Sequence, residues 1–276
     1  MDLTGPIISA ENQFKQILEG YFVSVYDEKS LPSHGIDHHR RVWNFAKELL
    51  SLNNKRDPVM DSQLPNSLII ACYLHDIGMS VDPGPRHGSH SMELCNRFLH
   101  EHEWDENDFP GLLKAIREHD NKEYGQLSTE SDLSSILSVA DDLDAFGFTG
   151  IYRYLEIYCI RGYELETIGQ RIRENAAKRF AYFEKCFGSA EIFTKAQRKR
   201  YLILDSYFRE YNKELKSQKY KILHKSGHLQ VIELISEAIR LRKDLYEFIS
   251  ETNSERDPVV KWFFDELKNE SHYLTS

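Results

Sequence analysis

An all-α protein is predicted by three features of this sequence. Apolar residues recur at helical spacing in segment after segment, no stretch keeps the alternation of a half-buried strand for long, and seven of the eight prolines fall at or before Pro110. From Gly111 to Asp257 only glycines act as strong breakers, so that half is expected to be nearly all helix.

In chain order, Val42, Phe45, Ala46, Leu49 and Leu50 mark one helix face, and the apolar run 68–74 marks a buried helix. Leu112, Leu113 and Ile116 mark a third face, and Leu133, Ile136, Leu137 and Ala140 a fourth. Beyond Gly150 the segments 152–160, 165–187, 194–215, 229–250 and 259–267 read as further helices. Breaks are expected near Gly162, Gly188, Gly227 and Asp257-Pro258. There is no internal repeat and no low-complexity linker.

Composition narrows the classes. Of 276 residues, 41% are hydrophobic and 12% aromatic, enough for one or two domains of roughly 150 residues and incompatible with a disordered chain. The 44 acidic residues outnumber the 35 basic ones, for a formal charge of -9. Such a surface repels polyanions unless a local patch or a bound cation reverses the sign. The four cysteines, Cys72, Cys95, Cys159 and Cys186, contain no C-x-x-C pair, which argues against a zinc ribbon or a disulfide framework and for a reducing compartment. The first ten residues lack a basic stretch followed by an apolar one, and the run 68–74 is too short to span a bilayer. The expectation is a cytoplasmic protein with no membrane partner.

Nine of the twelve histidines lie between His34 and His119, and such clustering needs a reason. His38 stands four residues before Val42 and shares the face that Val42, Phe45 and Ala46 turn to the core. His75-Asp76 follows the apolar run and precedes Ile77-Gly78, at the C-terminal end of a buried helix. Asp141 lies four residues beyond Leu137, another buried register, inside Val139-Ala140-Asp141-Asp142-Leu143-Asp144-Ala145. A carboxylate in such a place is costly unless it is paired or bound to a metal. Two imidazoles and two carboxylates make a mixed nitrogen and oxygen site suited to Mn, Fe, Co, Ni, Zn or Mg. An ion held there is a Lewis acid for a phosphate oxygen and lowers the pKa of water, so phosphoester hydrolysis is its natural use.

The order His, then His-Asp, then Asp resembles the HD-domain metal-dependent phosphohydrolase superfamily. The residues that carry the resemblance are His34-Gly35-Ile36-Asp37-His38-His39-Arg40-Arg41-Val42, Tyr73-Leu74-His75-Asp76-Ile77-Gly78 and Ala140-Asp141-Asp142-Leu143-Asp144-Ala145, within roughly 33–162. It implies an HD-domain helical bundle over 1–162 with a C-terminal helical extension over 163–276, and one divalent ion ligated by His38, His75, Asp76 and Asp141. His38 rather than His39 matches because the family's histidine lies four residues before the valine. Asp144-Ala145-Phe146-Gly147 with Gly150-Ile151 looks most like the small bacterial HD enzymes that hydrolyse nucleotides, so the implied partner is a small phosphorylated substrate, a nucleotide by preference.

Two more histidines fit the family's pattern. Arg86-His87-Gly88-Ser89-His90-Ser91 resembles the stretch in which a histidine is followed four positions later by a small residue, which selects His87 and Ser91. Ile116-Arg117-Glu118-His119 resembles the later Ile-x-x-His segment. With Asp76 these are the expected catalytic residues, His87 and His119 contacting phosphate around a single ion. A second ion, as in the binuclear HD-GYP branch, is the open alternative, although His119 is followed by Asp120 where that branch has a histidine, and no Gly-Tyr-Pro occurs. Met79 stands where many relatives carry Lys or another polar residue, so no general acid is assigned there.

His34 either contacts substrate or caps the helix beginning near Asp37. Arg41 and Arg86 could reach a phosphate with a guanidinium fork, as could Arg40, surface salt bridges being the competing role. His90 is expected beside His87 on a first helical turn, and His100 and His102 on a solvated helix end. The basic stretches 195–200 and 213–225 are interrupted by Asp205, Glu210 and Glu214, which favours a solvated face over a nucleic-acid contact. Two further functions stay open. One is an HD nuclease on single-stranded RNA or DNA, since Gly88-Ser89-His90 resembles ribonuclease Y when the register shifts to His90. The other is a catalytically silent nucleotide-binding module. The segment after Gly162 has three readings: a lid, a contact in a homo-oligomer, or a packing layer.

Overall fold

The computed structural model describes residues 3–26, 31–56, 63–121, 132–217, 226–252 and 257–275. Among them are twelve α-helices and no strand, as the periodicity predicts. The chain divides into two structural units. The first draws on Met1–Glu28, His34–Asp144 and Tyr182–Glu191, and the second on Lys29–Ser33, Ala145–Ala181 and Ile192–Ser276. The main division thus falls at Asp144 and Ala145, ahead of Gly162.

In the first unit, α1 (Thr4–Val25), α2 (Ile36–Arg56), α3 (Leu64–Leu74), α4 (His87–Glu101), α5 (Leu112–Glu118) and α6 (Leu133–Asp144) form the bundle. Helix α3 is its axis and packs on α1, α2, α5 and α6. Every residue from Ser67 to Leu74 is buried, the burial that an all-round apolar helix requires. Helix α1 was not among the predicted elements. Its signal was there, because Ala10, Phe14, Leu18 and Phe22 recur every fourth residue and are all buried. Phe14 meets Trp104 edge-on at 5.1 Å, and Phe98 lies against His102 at 4.5 Å. His102 also bonds through Nδ1 to the Phe98 carbonyl, so it is a packed, half-buried residue rather than the solvated helix end expected for it.

The second unit contains α7 (Gly147–Ile160), α9 (Glu191–Lys216), α10 (Gly227–Leu241), α11 (Leu245–Thr252) and α12 (Pro258–Thr275), with α8 (Leu165–Phe187) contributing up to Ala181. Helix α7 packs on α10 and α12. Its start is set by Gly147 at φ 71°, a left-handed conformation suited to glycine, and by Glu270, which accepts from the Thr149 amide and pairs with Arg200. The helix predicted over 229–250 is two helices, because Arg242 takes φ 51° and ends α10. A left-handed arginine is not signalled by residue type, so periodicity ran through the break.

On α7, Glu156 is fully buried and accepts hydrogen bonds from the Ser33 amide and hydroxyl. Burial raises its carboxyl from the ordinary 4.5 to about 7, against those hydrogen bonds, which favour the charged form. The folded state therefore holds this proton more tightly than the unfolded chain. Glu156 favours folding below about pH 4.5, and the contribution is lost as pH rises through about 7. Relative to Glu156→Gln, the wild-type protein should lose roughly 3 kcal/mol of stability between about pH 4.5 and about pH 8, measured by urea unfolding. Parallel pH profiles for the two proteins would refute this account.

Candidate metal centre

Five helices of the first unit place their ends or inner faces at one point. His38 comes from the start of α2, and His75 and Asp76 follow the last turn of α3. His87 opens α4, His119 follows α5, and Asp141 and Asp144 lie on α6. All seven side chains are buried, none more than 5% exposed. A tight turn after α3 fixes the approach of α4. A Cβ at Gly78 would overlap the His87 carbonyl oxygen and the Ser91 amide, and the Gly78 amide donates to Ser91 Oγ at 2.8 Å. The small residue expected at Ser91 is there because the chain at Gly78 runs directly against it.

Local hydrogen bonds decide which ring nitrogen faces inward. His75 Nδ1 donates to the Cys72 carbonyl at 3.0 Å, His87 Nδ1 to Gly84 at 2.8 Å and His119 Nδ1 to Ile116 at 2.7 Å. In each case the acceptor lies three residues earlier, and a carbonyl only accepts, so the proton resides on Nδ1. His38 Nδ1 donates to Asp144 Oδ2 at 2.8 Å. All four rings then present Nε2 to the interior. His38 Nε2 faces His75 Nε2 at 3.2 Å, and His87 Nε2 faces His119 Nε2 at 3.3 Å.

Asp76 stands between the two pairs. Its Oδ2 lies 3.4 Å from His38 Nε2 and 3.5 Å from His75 Nε2, while Oδ1 lies 3.0 Å from His119 Nε2 and 3.4 Å from His87 Nε2. Asp141 Oδ1 adds a second carboxylate at 3.9 Å from His38 and 3.8 Å from His75. Three donor groups result among the described residues, His38, His75, Asp76 and Asp141, then Asp76, His87 and His119, and a smaller one of His38, His39 and His75, each with its ligand atoms within 4.8 Å of one another.

The charge pattern fits a cation. Burial works against the Asp76 carboxylate, but the surrounding imidazoles, His75 foremost, outweigh it and hold Asp76 well below the usual range. Burial likewise disfavours charge on His75 and His87, and the Asp76 carboxylate outweighs it, raising His75 and pushing His87 up to about 9. His119 is lowered, burial and its neighbouring histidines exceeding the pull of Asp76. The negative charge that favours the protonated imidazoles of His75 and His87 would equally favour a cation in their midst. Nitrogen and oxygen donors arranged in this way suit a divalent ion, which would release those protons on binding.

The other expected residues fall in different places. His34 is buried in the single turn Pro32–His34, its ring 5.5 Å from that of His38. Arg41 is buried and grips Asp144, with Nε at 2.7 Å from Oδ1 and Nη2 at 3.0 Å from Oδ2. Arg86 is exposed and lies 3.7 Å from Asp82. Arg40 pairs with Glu19 and Asp37. His90 turns toward Glu93 and stands outside the donor groups. His39 is as buried as His38, but its Nδ1 donates to the Cys72 carbonyl and burial holds it neutral. In the basic stretches, Arg200 pairs with Glu270 and Lys213 with Glu210, while residues 218–225 lie outside the described residues. Asp144 was not singled out by sequence reasoning. The signal for it was its position three residues after Asp141, on the same buried face of α6.

The packing at Gly78 yields a test. Gly78→Ala should cost about 1–3 kcal/mol in urea unfolding, and should also weaken uptake of Co(II), because α4 and His87 must move to admit the methyl group. Wild-type stability and Co(II) uptake together would contradict the close approach described above.

No helix among the described residues is long and apolar enough to cross a membrane. No curated protein and no solved structure gives a significant match to the chain. Residues 35–145 match the family model of the HD domain, and this span begins just before His38 and closes just after Asp144. The all-α architecture and the buried His and Asp groups agree with that match, which makes residues 35–145 similar to the HD domain.

Proposed function

We propose that this protein hydrolyses a phosphoester or phosphoanhydride bond in a nucleotide or another small phosphorylated compound, with one divalent ion held by His38, His75, Asp76 and Asp141. The observation that carries this reading is the 3.2 Å approach of two buried Nε2 atoms, on rings whose Nδ1 protons are already donated elsewhere. Without a cation that contact needs a proton on one of the two Nε2 atoms, and a divalent ion among His38, His75, Asp76 and Asp141 would take that proton's place. When bound, such an ion supplies a Lewis acid for a phosphate oxygen and lowers the pKa of water at the site.

The remaining roles belong to side chains of this chain. Asp76 turns Oδ1 toward His87 and His119, where that oxygen can orient an attacking water and accept its proton. His87 and His119 present Nε2 on that side of the carboxylate and serve as phosphate contacts. Arg86, exposed at the start of α4, is available to a phosphate that enters beside His87. His34 lies against His38 and is read as a substrate contact on that side.

A second reading is favoured by one observation: Asp76, His87 and His119 form a donor group of their own. Asp76, His87 and His119 would hold a second ion, which would supply a further Lewis acid for a phosphate. The nuclease alternative gains less support, since the histidine that motivates it, His90, faces Glu93. The silent-module alternative rests on Met79, which is buried in the turn after Asp76.

Elemental analysis of the purified protein, followed by a phosphate-release screen with the metal found, tests these readings together. Near-stoichiometric metal, absent from His75→Ala/Asp76→Ala, with phosphate released from a nucleotide, is the expected result. Two equivalents would favour the second ion. Metal without turnover on a broad phosphoester panel would favour the silent module, and turnover of single-stranded RNA with steeply salt-dependent binding would favour the nuclease. No metal in wild-type protein, even after added Mn or Ni, would overturn the proposal.

A further inference from the structure

We infer that Asp144 is a positioning residue for the His38 side of the centre, and that Arg41 acts through Asp144 rather than on a substrate. The inference rests on the reading of His38 as a metal ligand and adds to it the device that makes His38 one.

Three of the four inward-facing imidazoles are anchored by a carbonyl three residues earlier in their own segment. His38 is the exception. It lies in the first turn of α2, and its Nδ1 proton goes to a carboxylate on another helix, α6. That carboxylate is fully buried, and the Arg41 fork closes on both of its oxygens at 2.7 and 3.0 Å. A two-point guanidinium contact fixes the plane of the carboxylate as well as its charge. Arg41 follows His38 by three residues, so one face of α2 delivers the imidazole and the guanidinium to the same partner.

Two consequences follow from this geometry. First, Asp144 holds the proton of His38 on Nδ1, leaving Nε2 as a lone pair directed at His75, Asp76 and Asp141; a carboxylate acceptor makes that nitrogen a stronger donor to metal than a carbonyl would. Second, Asp144 and Asp141 stand three residues apart on α6, so the hydrogen bond to His38 ties α2 to the helix that carries the second carboxylate of the same group. The register between an imidazole and a carboxylate from different helices is thereby set by one bond. Arg41, with Nε and Nη2 both committed to Asp144, balances a charge that would otherwise add to the buried carboxylates of the centre.

The test has two arms. In metal-free protein, long-range histidine 15N NMR should show the proton of His38 on Nδ1 in wild type and in Asp144→Asn, which keeps an acceptor oxygen, and lost from that position in Asp144→Ala. In the second arm, Co(II) is titrated against a competing chelator. Asp144→Ala should weaken binding by about 10–100-fold, and Asp144→Asn by less. Arg41→Ala should weaken it in wild type by more than in the Asp144→Asn background, the two losses being less than additive because Arg41 acts through residue 144. If Asp144→Ala fails to fold, the Asp144→Asn and Arg41→Ala pair still decides. Additive losses in that pair, or wild-type affinity and tautomer in Asp144→Ala, would overturn the inference. Absence of Co(II) binding by the wild type would instead overturn the metal reading, and the tautomer arm would still settle what Asp144 does to His38.

Discussion

The Asp76 carboxylate is the charge around which the first unit is organised. It is buried, it faces four imidazole nitrogens, and each of its oxygens serves a different pair. A single anion in such a place has no water to solvate it, so the surrounding protein must supply positive charge, from protonated imidazoles or from a cation. The rest of the bundle follows from meeting that requirement at one point. Helix α3 must be buried along its length so that its last turn delivers His75 and Asp76 to the interior. Helices α2, α4, α5 and α6 must then end or cross there with their own donors facing inward.

Helix ends are well suited to this task. Carbonyls in the last turn of a helix lack partners within it, and two of these imidazoles use such carbonyls as anchors. His75 bonds back to Cys72 and His119 to Ile116. His87 obtains the same result from the Gly84 carbonyl in the turn before α4. Secondary structure therefore does more than carry the ligands; it selects the ring nitrogen that each one offers. Gly78 completes the arrangement by letting the α3 turn run against the start of α4 at a distance no side chain would permit.

Much of this was legible in the sequence. Four-residue spacing from His38 to Val42 and from Leu137 to Asp141 places polar groups on apolar faces, and the run 68–74 carries His75-Asp76 at its end. Each of these is a statement about one helix, and one-helix periodicity is what a single sequence encodes most plainly. The second group, with His87 and His119, came from resemblance to a family pattern rather than from periodicity. Helix α1 and the break at Arg242 were missed for opposite reasons: the first had a regular apolar stripe that was passed over, while the second has no residue-type signal at all.

By itself the sequence determined the class of fold, the buried faces and the kinds of donor available, because these follow from hydrophobic spacing and side-chain chemistry within single segments. Tertiary structure alone decided how the donors combine. It gave Asp76 to two of the donor groups, tied His39 Nδ1 to a backbone carbonyl and left its ring beside His38 and His75 but apart from both carboxylates, and committed Arg41 to Asp144 across two helices. These outcomes depend on distances between residues far apart in the chain, where a shift of an ångström separates a ligand from a bystander. No local pattern carries that information, since it is set by how buried helices pack against one another.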